Sequence, residues 1–288
     1  MNLTSPKFYN HQLAVIGNPI QHSKSPLLHG YLIHRHQVNA EYTAIHIEDT
    51  VHLATFMADL RKPPWRGINI TLPYKTAVLP YLDYCDDDVT IMGACNTIVV
   101  NNGQLWGYNT DASGFYSPIA DQKYASVLIY GNGGAAKAVI YQCIKMAIPY
   151  VTLVARNHTQ TQALLDRLRP YALHTAIELD TFDALTPKKI QAHDLIINAT
   201  SVGMKPTDSV FPHSDAIVSG QTYYDLIYTP AETAMMAIAR KNGAHVLNGL
   251  GMLASQGVLA FRLFFDDHSD DADVAGVMRV IAEGYDNE

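Results

Sequence analysis

The first third of the chain alternates short apolar runs with segments of helical length. Runs rich in β-formers lie at 13–17, 42–47 and 67–71, and the segment 26–38 between the first two has helical character. Two further runs flank Asn102-Gly103, a dipeptide typical of a tight β-hairpin. This pattern predicts an α/β unit that ends in a hairpin.

From Val127 onward the alternation becomes regular. Strands are expected near 127–130, 151–155, 194–197, 223–227 and 245–247, with helix-length segments between most of them. Such alternation predicts a parallel, doubly wound sheet. The last forty residues indicate two helices split by the acidic stretch 266–273, and we expect them to pack back on the first domain. The predicted fold is therefore α/β with two domains, 1–110 together with 249–288, and a Rossmann-like 111–248.

A glycine-rich turn follows the run 127–130 directly. Gly131, Gly133 and Ala136 match the G-x-G-x-x-A form of a dinucleotide site, followed by a stretch with helical spacing. Gly131 permits the tight turn, Gly133 lets backbone N–H groups approach a pyrophosphate, and Ala136 lets the helix pack close to the strand. The helix N-terminus then offers its partial positive charge to the anion. The alternative is a plain strand–helix turn, but the order of strand, turn and helix favours a nucleotide site.

Bulk composition narrows the classes of partner. A length of 288 residues suffices for two domains, and a formal charge of −7 argues against a nucleic-acid surface. The three cysteines form no C-x-x-C pair, which favours reduced thiols in a cytosol. No signal peptide is visible, and the apolar stretch 250–265 carries Gln256 and Arg262, so we interpret it as a buried helix. The expected location is cytoplasmic, with no membrane and no nucleic acid as partner.

Thirteen histidines invite the question of a metal site. His34 and His36 lie two apart on a predicted helix, so their side chains point to different sides. No metal is therefore expected.

The segment H-S-K-S-P at 22–26 holds two hydroxyls beside a helix start. Ser25 followed by Pro26 predicts an N-cap with proline at the first helical position. Ser23 is redundant for capping, so the two serines are also candidates for binding a carboxylate. The two interpretations are compatible.

A lysine stands out in the segment N-I-T-L-P-Y-K at 69–75. Pro73 predicts a helix start, which places Lys75 in the first turn, where a cation opposes the macrodipole. The same dipole would lower its pKa, as a proton-transferring lysine requires. The alternative is an ordinary solvated lysine.

The segments at 93–97 and 109–111 bracket the predicted hairpin, so Asn96 and Asp111 are expected to lie close together. Asp111 either caps the following helix or anchors the charge of a lysine and orients a substrate hydroxyl.

Taken together, the motifs resemble the shikimate dehydrogenase family. The matching segments occur in family order and cover most of the chain from residue 17 to 256. They are G-N-P-I-Q-H-S-K-S-P at 17–26, N-I-T-L-P-Y-K at 69–75, G-A-C-N-T at 93–97, N-T-D at 109–111, G-N-G-G-A at 131–135, N-A-T-S-V-G-M at 198–204, D-L-I-Y-T-P at 225–230 and G-L-G-M-L-A-S-Q at 249–256.

The resemblance implies reduction of 3-dehydroshikimate to shikimate by NADPH, on the route to aromatic amino acids, in a cleft between the domains. It implies Lys75 as acid/base paired with Asp111, and Ser23 and Ser25 as ligands of the substrate carboxylate. Ring hydroxyls and neighbouring groups would be bound by Thr71, Asn96, Asp111, Tyr228 and Gln256. The residues implied for the cofactor are Gly131, Asn132, Gly133, Gly134, Ala135, Ala155, Arg156, Asn157, Thr200, Leu226, Gly249 and Met252.

The loop A-R-N-H-T-Q at 155–160 departs from the family, which usually has Asn-Arg-Thr and often a second arginine three residues later. Ala155, Asn157 and Gln160 replace these residues, while Arg156 can still stack on adenine and pair with a 2′-phosphate. No acidic residue stands at the strand end to bind a free ribose 2′-hydroxyl, so NADP is expected. Asn132 replaces a usual alanine, Ala112 a glycine and Gly30 a frequent asparagine.

Three alternatives stay open. A quinate or dual quinate/shikimate dehydrogenase is the nearest, and the Ser23/Ser25 end of the pocket would decide. A non-catalytic ligand sensor is disfavoured because Lys75 and Asp111 are both present. A folate-type dehydrogenase fits the nucleotide domain only. The sequence leaves the protein as a monomer or a homodimer.

Overall fold

The computed structural model describes residues 9–205, 207–266 and 271–283. Contacts between Cα atoms divide the chain into two units. One runs to Thr110 and resumes at Ala254, and the other is Asp111–Leu253.

The first unit is built on a mixed six-stranded sheet. In chain order its strands are β1 (His11–Gly17), β2 (Ala40–His46), β3 (Trp65–Ile70), β4 (Tyr84–Cys85), β5 (Thr97–Asn101) and β6 (Gln104–Tyr108). Their order across the sheet is β2-β1-β3-β5-β6-β4. The pairs of β1 with β2 and β3 are parallel, whereas β5 pairs with β3 and β6 antiparallel. The predicted hairpin is confirmed, with positive φ of 51° at Asn102 and 77° at Gly103.

Helices cover both faces of this sheet. They are α1 (Ser25–Arg35), α2 (Thr50–Asp59), α3 (Asp87–Met92), the later part of α9 (Leu250–Phe265) and α10 (Asp271–Glu283). One core cluster joins β1, β3 and β5 to α2 and to the turns after Thr71, and a second joins β1 to Ala260 and Phe264 of α9. A Cβ on Gly67 would lie 2.5 Å from the Phe264 ring, so this glycine lets α9 approach the sheet.

The second unit is an all-parallel six-stranded sheet. Its strands are β7 (Ser126–Tyr130), β8 (Tyr150–Val154), β9 (Ala176–Asp180), β10 (Leu195–Asn198), β11 (Thr222–Asp225) and β12 (His245–Leu247), in the order β12-β11-β10-β7-β8-β9. Helices α4 (Asp111–Tyr116), α5 (Gly134–Lys145), α6 (His158–Leu168), α7 (Pro187–Gln191) and α8 (Ala234–Lys241) complete it. The chain winds outward from β7 in both directions, which confirms the doubly wound prediction.

Two strands escaped the sequence pattern. β9 lies at the sheet edge and alternates exposed with partly buried positions, so Ile177 and Leu179 are separated by the acidic Glu178 and make no apolar run. β4 has only two residues, Tyr84 and Cys85. The sequence signal of a strand is weak where one face of the strand is exposed to solvent or where the strand is very short.

None of the helices in the described part of the chain is long and apolar enough to cross a bilayer.

Candidate active site

The carboxyl end of β7 lies where the strand order of the second sheet reverses. Gly131 follows β7 with φ 107°, and a Cβ there would lie 2.9 Å from the Ala199 carbonyl oxygen and from Thr200 Cγ2, beyond β10. An L-residue is strained at this φ and has no room, so the predicted need for glycine is physical. This is the crevice in which open α/β sheets bind ligands.

The start of α5 fits a pyrophosphate. Gly133 is the N-cap residue with no side-chain cap, and neither Gly133 nor Gly134 has an atom within 4 Å of an added Cβ. The start of this 12-residue helix, with its unpaired first-turn amides, therefore has open space beside Gly133 and Gly134. Ala135 follows in the first turn, and Ala136 is fully buried, as the spacing predicted for close helix packing.

The loop after β8 begins with the buried Ala155 and continues with the exposed Arg156. Asn157 caps α6, because its Oδ1 accepts the Gln160 N–H at 3.0 Å. Gln160 lies in the first turn of α6. Arg156 forms no ion pair within the described residues, so its guanidinium is available to a ligand.

The ends of β10 and β11 carry a buried polar network that the sequence reasoning missed. Asp225 accepts hydrogen bonds from Thr233 Oγ1 at 2.8 Å, Asn198 Nδ2 at 3.0 Å and the Ile227 N–H at 3.1 Å. Burial raises the pKa of Asp225, and the bond from Thr233 is the largest effect that opposes it. Asn198 Oδ1 in turn accepts from Thr200 Oγ1 at 2.7 Å. The network therefore joins the loops that begin after the two strands.

Residues predicted for the nicotinamide end adjoin this network. The Leu226 N–H donates to the Asn198 carbonyl at 3.0 Å. A Cβ on Gly249 would lie 2.0 Å from the Leu226 carbonyl oxygen, so only glycine fits at that position. Met252 is half-buried near the start of α9. Partial burial raises the pKa of Tyr228. The signal for Asp225 and Asn198 was present, since they open the D-L-I-Y-T-P and N-A-T-S-V-G-M segments.

In the first unit the serine segment differs from the prediction. α1 begins at Ser25 itself, after Lys24 as a cap residue with no side-chain cap bond, so the expectation of Ser25 as N-cap is wrong. The Ser25 N–H instead donates to Ser23 Oγ at 3.3 Å. Ser23, not Ser25, therefore satisfies a backbone donor at this helix start.

The helix predicted at Pro73 is also wrong. Residues 72–78 form consecutive turns, followed by a short 3-10 segment over Leu79–Tyr81. The Lys75 carbonyl accepts the Cys95 N–H at 2.8 Å, so the segment bonds to the chain before β5 instead of continuing a helix ladder. Prolines 73 and 80 remove two further backbone donors. Lys75 is therefore not in the first turn of an α-helix, and the prediction that a helix macrodipole acts on it is wrong.

Thr71 directly follows β3. Its N–H donates to the Ile16 carbonyl of β1 at 2.9 Å, and a Cβ on Gly17 would lie 2.5 Å from Thr71 Cγ2. Thr71 thus lies at the carboxyl ends of two adjacent parallel strands.

A backbone donor fixes the orientation of the Asn96 side-chain amide. Its Oδ1 accepts the Thr110 N–H at 2.9 Å and the Thr97 hydroxyl at 3.0 Å. Its Nδ2 therefore donates, to Thr110 Oγ1 at 3.0 Å and to Gln256 Oε1 at 3.5 Å. Asn96 and Gln256, 160 positions apart, meet as side chains.

A buried relay lies beneath Asn96. The Tyr42 hydroxyl donates to Asn69 Oδ1 at 2.7 Å, and Asn69 Nδ2 donates to Thr97 Oγ1 at 3.0 Å. His29 stacks on the Tyr42 ring at 4.2 Å between centroids, and burial lowers its pKa to about 3. Sequence reasoning named none of these four, although Asn69 opens N-I-T-L-P-Y-K.

Asp111 is the first residue of α4 and belongs to the second unit, whereas Lys75 belongs to the first. Its carboxylate stands in the first helical turn, where a negative charge is favourable.

His36, one of the two histidines considered for a metal, contacts a buried carboxylate instead. His36 Nε2 lies 3.0 Å from Asp273 Oδ2, and Arg35 donates to the same carboxylate. Over the described ranges no three His, Cys, Asp or Glu side chains group as metal ligands do. All three cysteines are free thiols.

Comparisons with known proteins agree with one another. A family model described as the shikimate dehydrogenase substrate binding domain matches residues 15–98. A shikimate dehydrogenase (NADP(+)) of Streptococcus pneumoniae is 36% identical over 264 residues, 89% of this chain and 92% of the relative.

Two solved structures cover nearly the whole chain. A Thermus thermophilus shikimate 5-dehydrogenase in complex with NADP(H) and shikimate is 30% identical with a TM-score of 0.80, covering 93% of this chain and 98% of that one. A Corynebacterium glutamicum quinate dehydrogenase in complex with NAD is 27% identical with a TM-score of 0.87, covering 96% and 99%.

Proposed function

The chain belongs to the shikimate dehydrogenase family, and we propose that it catalyses the reversible, NADP-dependent reduction of 3-dehydroshikimate to shikimate. One observation carries the proposal. Asn96 and Gln256, distant in sequence, present polar atoms 3.5 Å apart in the first unit, and Asn96 Nδ2 is oriented as a donor. A polyhydroxylated ring needs such convergent donors and acceptors.

Substrate groups are assigned to the first unit and to two residues of the second. Ser23 and Ser25 bind the carboxylate, and Thr71, Asn96 and Gln256 bind ring hydroxyls. Tyr228 and Asp111 complete the set.

The cofactor is assigned to the second unit. The turn 131–135 binds the pyrophosphate through first-turn amides of α5, and Arg156, flanked by Ala155 and Asn157, pairs with the 2′-phosphate. The loops carrying Thr200 and Leu226, together with Gly249 and Met252, hold the nicotinamide end. When bound, the nicotinamide supplies or accepts the hydride.

Lys75 is the proposed acid/base. As carbonyl reduction builds negative charge on oxygen, its ammonium stabilises that charge and donates the proton. In the oxidative direction its amine accepts the hydroxyl proton. Asp111, the first residue of α4, is assigned to orient the reacting hydroxyl.

Steady-state assays of purified protein with shikimate and quinate, each with NADP and NAD, test the reaction. The expected result is the highest kcat/KM for shikimate with NADP. Lys75→Ala should lower kcat by about 10²–10⁴-fold while shikimate binding changes little. Lys62→Ala, which removes an exposed lysine paired with Asp59, is the matched control and should leave kcat unchanged. Near-normal turnover by Lys75→Ala would refute the assigned role.

Quinate oxidation is the second candidate. It is favoured by the similarity to a quinate dehydrogenase in complex with NAD and by the neutral Gln160 in the cofactor loop. Turnover dominated by quinate or by NAD would select it. Binding without turnover in all four pairings would instead indicate a ligand sensor.

A further inference from the structure

A series of hydrogen bonds made by side chains connects the glycine turn to the loop that carries Arg156. Asn132 Nδ2 donates to Thr161 Oγ1 at 2.8 Å and to the Asn157 carbonyl at 3.3 Å. Thr161 Oγ1 donates in turn to the same carbonyl at 2.6 Å. Three residues from two loops and a helix therefore share one partly buried polar node, which we name the Asn132 clamp.

The clamp is well constructed for fixing a position. Thr161 is fully buried, so its hydroxyl depends on these partners. The Asn157 carbonyl also accepts the Thr161 N–H at 3.1 Å, while the Asn157 side chain caps α6. The carbonyl and the side chain of Asn157 are therefore both hydrogen-bonded, and Arg156 directly precedes Asn157 in the chain.

The two ends of the clamp serve different parts of a dinucleotide. Asn132 lies between Gly131 and the open space at Gly133, where a pyrophosphate fits. Arg156 is exposed and forms no ion pair in the described part of the chain, and the nearby Gln160 is neutral. Arg156 is the residue of this loop assigned to the 2′-phosphate, so the distance between its guanidinium and the pyrophosphate turn decides how well it pairs.

We propose that Asn132 is a positioning residue for cofactor choice. Through Thr161 and Asn157 it fixes the distance between the pyrophosphate turn and Arg156. The inference rests on the proposed function and deepens it. NADP engages both ends of the clamp and NAD only the turn. Loss of the clamp therefore weakens NADP binding selectively.

Calorimetric titration with NADP⁺ and with NAD⁺ tests the clamp without any turnover. Asn132→Ala and Thr161→Val should each raise the Kd for NADP⁺ about fivefold to tenfold, the effect of losing one or two hydrogen bonds. The Kd for NAD⁺ should change by less than about twofold. Asn242→Ala is the matched control, because its Nδ2 likewise bridges two loop carbonyls of the same unit, those of Asp215 and Ile217. It should lower the melting temperature without altering either Kd.

A double-mutant cycle with Arg156→Ala separates positioning from mere stability. If Asn132 acts through Arg156, then Asn132→Ala has no further effect on NADP⁺ binding once the arginine is gone. Additive effects, or equal weakening of both cofactors, would overturn the clamp and leave the proposed function standing. A wild-type protein that binds NAD⁺ more tightly than NADP⁺ would overturn both.

Discussion

Substitution by alanine should have opposite effects on stability at Gly131 and Gly133, the two glycines of the nucleotide turn. At Gly131, alanine would adopt φ 107° with its Cβ 2.9 Å from the Ala199 carbonyl oxygen. Backbone strain of this kind costs about 1–3 kcal/mol. The end of β10 must also shift to relieve the contact. The free energy of unfolding should fall by about 3 kcal/mol in total.

At Gly133, alanine meets no atom within 4 Å, and φ −74° suits any L-residue. The variant should be as stable as the wild type, or more so by about 0.4–1 kcal/mol, because alanine restricts the unfolded chain. Its Cβ occupies the space assigned to the pyrophosphate. The Kd for NADP⁺ should therefore rise by more than about tenfold.

Urea unfolding and calorimetric titration of both variants measure these effects. Gly220→Ala is the control, since φ there is 88° but no atom lies within 4 Å, so it isolates backbone strain from contact. It should destabilise less than Gly131→Ala. A Gly133→Ala protein that binds NADP⁺ like the wild type would refute the assignment of the turn to the pyrophosphate. A Gly131→Ala protein of full stability would refute the steric argument.

Three further predictions concern charge. Arg156→Ala should raise the KM for NADP about tenfold and leave the KM for NAD nearly unchanged, since one charge-assisted contact is lost. Steady-state kinetics with both cofactors measures this, and an equal effect on the two KM values would contradict the assignment. Asp273→Ala removes a buried carboxylate that binds Arg35 and His36, and urea unfolding should show a loss of about 2–3 kcal/mol, against almost none for the exposed Asp59→Ala. Burial lowers the pKa of His29 from 6.5 to about 3, so between these pH values only the unfolded chain binds this proton. The free energy of unfolding therefore decreases as the pH is lowered from 6.5 to 3, by up to about 1.4 kcal/mol per pH unit. Unfolding measured between pH 7 and 4 should show a shallower loss for His29→Phe, and an unchanged slope would count against a neutral buried imidazole.

Features that depend on a few neighbouring residues followed from the sequence. The Asn102-Gly103 turn and the Gly131 turn adopt the positive φ that their residues predicted. The regular alternation after Val127 predicted a parallel doubly wound sheet, which the strand order confirms. Each of these signals is local, because φ preference and side-chain periodicity act within one strand, turn or helix.

Local signals failed in two segments of the first unit. Pro73 indicated a helix start, yet the Lys75 carbonyl accepts the N–H of Cys95, twenty positions on. Ser25 has a good N-cap sequence, yet it lies inside α1, and its own N–H donates to Ser23 Oγ. In the first case a tertiary hydrogen bond, and in the second a bond to the neighbouring Ser23, replaced the one that propensity assumed.

The sequence by itself determined the two kinds of sheet, the glycine turn and the identity of the chemical groups available. Only the tertiary structure decided which of those groups meet. Asn96 finds Gln256 across 160 positions, and Asn132 finds Thr161 across 29, through contacts that no periodicity encodes. The reason is physical: a side-chain hydrogen bond requires donor and acceptor within about 3 Å, and packing of whole elements sets that distance.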